Sequence, residues 1–173
     1  MTLNFAELQN VTMAYGQITA LQDISLTLHA GESVAVLGPN GAGKTTAIKL
    51  LTGQKRKQKG NVLLFGENPR SPSGRRHIGV TPQEASFPHA QKVCEILRFA
   101  QSHFENPLPR QELLSAFGLS ELGGRMANEL SGGQQRKLAV ALAFCGQPGA
   151  VFLDEPTTGI DTQSRKQLWA YIH

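Results

Sequence analysis

The sequence lacks long apolar runs: its longest, residues 34–37 and 138–145, fall far below the roughly 20 residues of a membrane-spanning helix. Its first ten residues lack the basic flank and apolar core of a signal peptide. Cysteine is scarce, and the two present, Cys94 and Cys145, lie far apart and form no CxxC pair. We therefore expect neither a secreted nor a membrane-spanning chain, with reduced thiols in a cytosolic compartment.

Aromatic and charged residues are also few, at 6% and 17%, whereas 40% of the residues are hydrophobic and 18 are glycine. This composition is typical of a globular protein with many turns and excludes disorder, collagen and coiled coil. The length of 173 residues predicts a single domain that covers residues 1–173 and can bury a core.

Positive charge is concentrated in one short segment, residues 55–59, which reads Lys-Arg-Lys-Gln-Lys. The chain has 17 Lys and Arg and 13 Asp and Glu. Outside this segment the basic and acidic residues are equal in number, at 13 each. Since a nucleic-acid surface spreads its charge over a whole face, no nucleic-acid partner is expected for the protein. The segment itself is either a solvated basic turn or a contact for anionic lipid or RNA.

Apolar periodicity and turn residues predict an α/β protein. Strands are expected at residues 4–8, 24–28, 61–65, 78–81 and 151–153, and helices at 44–52, at 131–144 and from 162 onward. The apolar run 33–37, bounded by glycines, predicts a further strand that is buried on both faces. The helix from 162 meets no Gly or Pro terminator, so we expect a sequence that is cut short at its C-terminus.

The middle of the chain has a different, helical character. Apolar residues recur at helical spacing from Val93 to Ala100 and again from Leu113 to Phe117, with prolines between the two groups. We therefore expect a small helical insert at residues 84–128.

Residues 38–45, Gly-Pro-Asn-Gly-Ala-Gly-Lys-Thr, match the phosphate-loop pattern G-x-x-x-x-G-K-[ST] between a predicted strand and a predicted helix. The glycines allow backbone N–H groups to surround phosphates, and the N-terminus of the helix adds partial positive charge. Lys44 can reach the β- and γ-phosphates of a nucleotide, and the Thr45 hydroxyl can bind Mg²⁺.

Two carboxylates at the end of the apolar strand 151–153 predict the second half of the same site. Asp154 would lie at the edge of the sheet, where it can hold Mg²⁺ or its water ligands. Glu155 points the other way and is free to orient and polarise an attacking water.

Residues 130–136, Leu-Ser-Gly-Gly-Gln-Gln-Arg, begin a long helix and form a second anion site, because Ser131 is a good N-cap and two glycines leave the backbone bare. With GPNGAGKTT before it and FLDEP after it, LSGGQQ resembles the signature motif of ABC-type ATP-binding domains. The resemblance spans residues 15–161. It implies an α/β fold: a P-loop NTPase core with helices on both faces of its sheet, an N-terminal antiparallel β subdomain and the helical insert.

The resemblance also implies roles for single residues. Tyr15 corresponds to the aromatic residue that stacks on adenine, Gln83 to the glutamine that contacts Mg²⁺ and the attacking water, and Asp161 to the loop that crosses a dimer interface. ATP and Mg²⁺ are the implied cofactors. The implied nucleotide-binding residues are Tyr15, Gly38, Pro39, Asn40, Gly41, Ala42, Gly43, Lys44, Thr45, Thr46, Ser131, Gly132, Gly133, Gln134 and Asp161.

The resemblance implies a catalytic or metal-binding role for fewer residues. The implied catalytic residues are Glu155, Gln83 and Lys44, and the implied metal ligands are Thr45, Gln83 and Asp154. In the family two domains, identical or related, pair head to tail. Each nucleotide then lies between the phosphate loop of one domain and the signature motif of the other.

From this resemblance we expect an ATP-hydrolysing subunit that powers a membrane transporter. It would lie in the cytoplasm, on the cytoplasmic face of the cell membrane, held there by membrane-spanning partners that contact its insert. The short insert and the GVTPQ sequence at 79–83 resemble the branch that powers exporters.

The alternative is a soluble ABC ATPase that acts on the ribosome or on nucleic acid. Residues 44–131 leave no room for the long coiled coil of the DNA-acting relatives, and the chain shows one such domain instead of the two found in ribosome-acting relatives. A plain P-loop kinase or GTPase is disfavoured, because neither uses LSGGQQ.

One family element has no counterpart, a histidine that contacts the γ-phosphate beyond the point where this chain stops. His173 comes too early for that role and is interpreted as an exposed polar residue. We therefore expect the chain to bind nucleotide and to hydrolyse it poorly.

Overall fold

The computed structural model describes residues 4–172, without the side chains at positions 163, 164, 167, 171 and 172. His173 lies outside the described residues. The chain divides into two compact units, the first ending at Arg76 and the second beginning at His77.

The first unit is built on a three-stranded antiparallel sheet in the order β2-β1-β3. Its strands are β1 (Asn4–Tyr15), β2 (Ile18–His29) and β3 (Lys59–Leu64). Two helices belong to the same unit, α1 (Lys44–Leu51) and the short α2 (Pro72–Arg75). The predicted antiparallel β region near the N-terminus is therefore confirmed, and α1 ends within one residue of its predicted end.

The first two strands are each much longer than the sequence predicts. The register of β1 on β2 shifts between Leu8 and Val11, so the alternation of buried residues is interrupted there. Asn10 at this shift has φ 49°, and its side-chain amide donates to the Asp23 carboxylate at 3.0 Å. Strand β1 therefore continues through an interruption of the two-residue alternation of buried side chains. The sequence pattern alone predicts that the strand ends at this interruption.

The prediction of a buried strand at residues 33–37 is wrong. This segment pairs with no strand in the part of the chain that the structure describes. Val34, Val36 and Leu37 are 51%, 49% and 90% exposed. Apolar composition indicates a tendency to be buried, but a strand also needs a neighbouring strand for its backbone hydrogen bonds, and this segment has none among the described residues.

The second unit combines a two-stranded parallel sheet with helices. Strands β4 (Ile78–Thr81) and β5 (Ala150–Leu153) pair in parallel. Its helices are α3 (Val93–Gln101), α4 (Arg110–Ala116), α5 (Gly132–Phe144) and α6 (Thr162–Ile172), with 3₁₀ turns at Ser120–Leu122 and Ala127–Glu129. The helices predicted from apolar spacing in the middle of the chain are therefore present.

Register and packing place the ends of β4 and β5 side by side. Thr81 pairs with Leu153, so the residues that follow the two strands share one edge of the sheet. Helix α5 lies very close to β4: a Cβ on Gly79 would come within 1.8 Å of the Ala143 carbonyl oxygen. The core of this unit includes Leu97, Leu113, Leu138 and Val140.

No helix among residues 4–172 is long and apolar enough to cross a membrane.

The two cysteines have different environments, which predicts different reactivity. Cys145 is fully buried in the second unit, and burial raises the pKa of its thiol, whereas Cys94 is partly exposed. Because the thiolate is the reacting form, Cys94 should react with a thiol reagent at pH 8 while Cys145 stays unmodified until the protein unfolds. Mass spectrometry after timed alkylation checks this, and equal labelling of both residues would contradict it.

Candidate functional site

The phosphate loop lies in the first unit and ends where α1 begins. Gly41 and Gly43 have φ values of 82° and 85°, in the left-handed region that favours glycine. A Cβ on Gly43 would lie 2.3 Å from the Ala20 carbonyl oxygen of β2. Glycine at this position therefore allows the loop to lie directly against β2.

The loop is organised to hold an anion. The Lys44 ammonium group donates to the carbonyl oxygens of Gly38 and Pro39, each at 2.8 Å, and so lies over the loop. No side chain among the described residues caps the N-terminus of α1. Its first N–H groups are therefore available to a ligand, and together with Lys44 they fit a phosphate group. Thr45 is half-buried and Thr46 buried on the same first turn.

Tyr15 lies at the end of β1, opposite Ile18 across the hairpin. Ala20, which contacts the loop, is two residues further along β2. The structure therefore places Tyr15 at the end of the sheet that adjoins the loop. Tyr15 is 43% exposed, and the Lys55 ammonium group lies 5.8 Å from the centroid of its ring.

The predicted carboxylates and the glutamine meet at the edge formed by β4 and β5. Asp154 follows β5, is buried, and its N–H donates to the Thr81 carbonyl oxygen at 3.2 Å. Glu155 is exposed with φ 50°, and its carboxylate accepts from the Thr158 hydroxyl at 3.1 Å. Gln83 lies two residues beyond the end of β4. The structure thus brings Gln83, Asp154 and Glu155 to one edge.

Arg136 links the residues that follow β4 to those that follow β5, a role that its place in the signature motif does not predict. Its guanidinium group is buried on α5 and donates to the carbonyl oxygens of Pro82, Gln83 and Asp154. Burial lowers the pKa of Arg136, and the negative charges of Asp154 and Glu155 oppose that shift. The signal in the sequence is a charged residue four positions before Val140, on a helix face that is otherwise apolar.

The signature motif forms the N-terminus of α5. Ser131 is the N-cap: its hydroxyl accepts from the Gln134 N–H at 3.3 Å, and its own N–H donates to the Gln134 side chain at 2.9 Å. A Cβ on Gly133 would lie 2.6 Å from the Gly159 carbonyl oxygen, so this turn packs against the loop that leads to Asp161. The second unit therefore brings the signature motif and the Asp161 loop into contact.

Comparison with known proteins gives the family. The model for ABC transporters matches residues 21–158. The chain belongs to the ABC transporter family. Sequence relatives include the spermidine/putrescine import ATP-binding protein PotA of Haemophilus influenzae, at 38% identity over 94% of this chain and 45% of the relative. The Nod factor export ATP-binding protein I of Cupriavidus pinatubonensis is 37% identical over 94% of this chain and 52% of the relative.

Solved structures of the ABC family have the same fold. An ATP-binding subunit of an ABC transporter matches with a TM-score of 0.85 and 25% identity, over 97% of this chain and 73% of that chain. A bacterial ABC transporter cassette, MJ0796, matches with a TM-score of 0.82 at 24% identity, over 96% of this chain and 81% of that chain, which shows a likeness of fold. These matches confirm the predicted fold class. The chain spans about half the length of the curated relatives it matches.

The two signature glycines provide a matched test of the packing at α5. Gly133→Ala should lower the free energy of unfolding by about 1–3 kcal/mol, because its Cβ meets the backbone of Gly159. Gly132→Ala adds a Cβ that meets nothing within 4 Å, so its stability should stay within about 0.5 kcal/mol of the unchanged protein. Urea unfolding measures both, and equal stability of the two variants would contradict the contact.

Proposed function

We propose that this chain binds and hydrolyses ATP and that it powers an ABC membrane transporter. The observation that carries the proposal is the phosphate loop, in which the Lys44 ammonium group and the uncapped N-terminus of α1 face the same turn. Tyr15, at the adjoining end of the sheet, offers a half-exposed ring on which adenine can stack.

The residues present also fit Mg²⁺, which prefers oxygen ligands and keeps several waters. The amide oxygen of Gln83 and the carboxylate of Asp154 are the ligands that we propose at the edge of β4 and β5. The Thr45 hydroxyl stays a metal ligand predicted from the sequence alone. Bound Mg²⁺ would supply charge neutralisation on the phosphates.

Three residues would carry the chemistry of hydrolysis. Glu155 is exposed beside the buried Asp154, so its carboxylate can orient a water and accept its proton. Gln83 would help to position that water from the end of β4. Lys44 would stabilise the negative charge that develops on the γ-phosphate.

The signature motif supports pairing of two ABC domains, of the same or a related chain. The Ser131 hydroxyl and the N–H groups at the start of α5 form a second anion site on a chain that has a single phosphate loop among its described residues. We propose that Ser131, Gly132, Gly133 and Gln134 contact the nucleotide bound to the other domain, with Asp161 at the interface between them.

The transport role rests on relatives that are named as ATP-binding proteins of importers and exporters. Membrane-spanning partner chains would hold this one on the cytoplasmic face of the membrane. The prediction of export is not supported, because both directions occur among these relatives and most are import proteins. The Fe(3+) ions import ATP-binding protein FbpC of Brucella suis, 36% identical over 92% of this chain and 47% of the relative, is a further import protein. No relative named here supports an action on the ribosome or on nucleic acid.

Lys44→Ala tests the nucleotide site. Loss of a charged hydrogen-bond donor to phosphate should weaken ATP binding by about 10- to 100-fold. Lys49→Ala is the matched control, since Lys49 is in the last turn of the same helix and its loss should change the affinity by less than about twofold. Titration with a fluorescent ATP analogue measures both. Unchanged affinity in Lys44→Ala would overturn the site.

A further inference from the structure

We propose that the first unit carries a second anion site, separate from the phosphate loop, for a ligand that bears several phosphate groups. The site is a cavity of about 420 Å³ beside the turn that follows α1. Its polar lining consists of four cations and two amides: Lys55, Arg56, Lys57, Arg70, Asn61 and Asn68. No residue of the phosphate loop lines it.

Two distant segments are brought together to make this cavity. Gly53 has φ 70°, and a Cβ on it would lie 2.2 Å from the Pro69 carbonyl oxygen. The turn after α1 therefore lies directly against the chain that leads into α2. This contact places Arg70 at the same cavity as segment 55–57, although the two are well separated in sequence.

No negatively charged group of the described residues offsets the positive charge in the cavity, although Lys57 donates to the Gly60 carbonyl oxygen and Lys55 lies over the Tyr15 ring. Neither Asp nor Glu lines it, and none of its four cations forms an ion pair in the part of the chain that the structure describes. Glu67, the acid just before Asn68, accepts instead from the hydroxyls of Ser71 and Ser73. Four like charges around one cavity repel each other, and a multiply charged anion would offset that repulsion.

The size of the cavity is compatible with a small polyphosphate group. Its volume lies within the range of about 300–1,000 Å³ that is usual for small-molecule sites. The buried side chains of Leu50 and Val62 form an apolar base, which strengthens the electrostatic attraction above it. A free polyphosphate and the headgroup of a lipid with more than one phosphate share this chemistry.

Binding of tripolyphosphate to the Lys44→Ala protein tests the proposal, because that change weakens the competing binding at the phosphate loop. Isothermal titration should give one ligand per chain, with an affinity that falls as salt is added. Arg56→Gln with Arg70→Gln should weaken binding about 30-fold, or about fivefold for each cation removed. Lys55 is left unchanged because it lies over the Tyr15 ring.

The matched control is Arg75→Gln with Arg76→Gln, which removes the same charge from exposed positions of the same unit outside the cavity. It should retain the affinity within about twofold. An equal loss in both double variants would overturn the proposal.

Co-sedimentation with vesicles distinguishes the two sources of the ligand. Vesicles of phosphatidylcholine and cardiolipin, in a ratio of roughly 4:1, should sediment the Lys44→Ala protein if the ligand is a headgroup, and the Arg56/Arg70 variant should then stay in solution. Tripolyphosphate binding without sedimentation assigns the site to a free polyphosphate. Failure of both ligands overturns the site and leaves the ATP site unaffected.

Discussion

The buried guanidinium group of Arg136 is the interaction on which the geometry of the second unit depends. It donates to the backbone on both sides of the sheet edge, at Pro82 and Gln83 after β4 and at Asp154 after β5. Each of these strands has only four residues, so the ladder between them is short. A charged donor that satisfies three carbonyl oxygens supplies the constraint that the short ladder lacks.

At the edge of β4 and β5 that Arg136 holds together, two neighbouring carboxylates have different environments. Asp154 is buried beside a cation, whereas Glu155, next in sequence, is turned out to solvent by its positive φ. A metal ligand and a general base need such different environments. The signature turn and the loop before Asp161 are held in the same unit by the close approach of Gly133 to Gly159. The proposed partner-facing elements are therefore joined to the proposed catalytic ones.

Some parts of this structure follow directly from the sequence. The phosphate loop and α1 follow from the sequence because glycine, lysine and threonine at this fixed spacing are specific for a phosphate-binding loop at the start of a helix. Helices α3 and α4 were predicted because their apolar spacing is uninterrupted. The cap at Ser131 was predicted from residue type, since the short hydroxyl side chain bonds locally to the backbone.

Other parts required the structure because they depend on distant neighbours. The local sequence pattern does not determine which strand pairs with the apolar run 33–37. In the structure this run pairs with no strand among the described residues. The bulge at Asn10 depends on Asp23 in another strand. The role of Arg136 depends on three carbonyl groups from two loops, and the basic cavity depends on Pro69 meeting Gly53.

The most direct test of the account is whether ATP joins two chains. Glu155→Gln should bind ATP without activating water, so that light scattering detects a particle of twice the chain mass with ATP and of single mass with ADP. Adding Ser131→Arg, which places a bulky cation at the signature motif, should return the ATP sample to single mass. A Glu155→Gln protein that stays at single mass while saturated with ATP would contradict a nucleotide site shared between two chains.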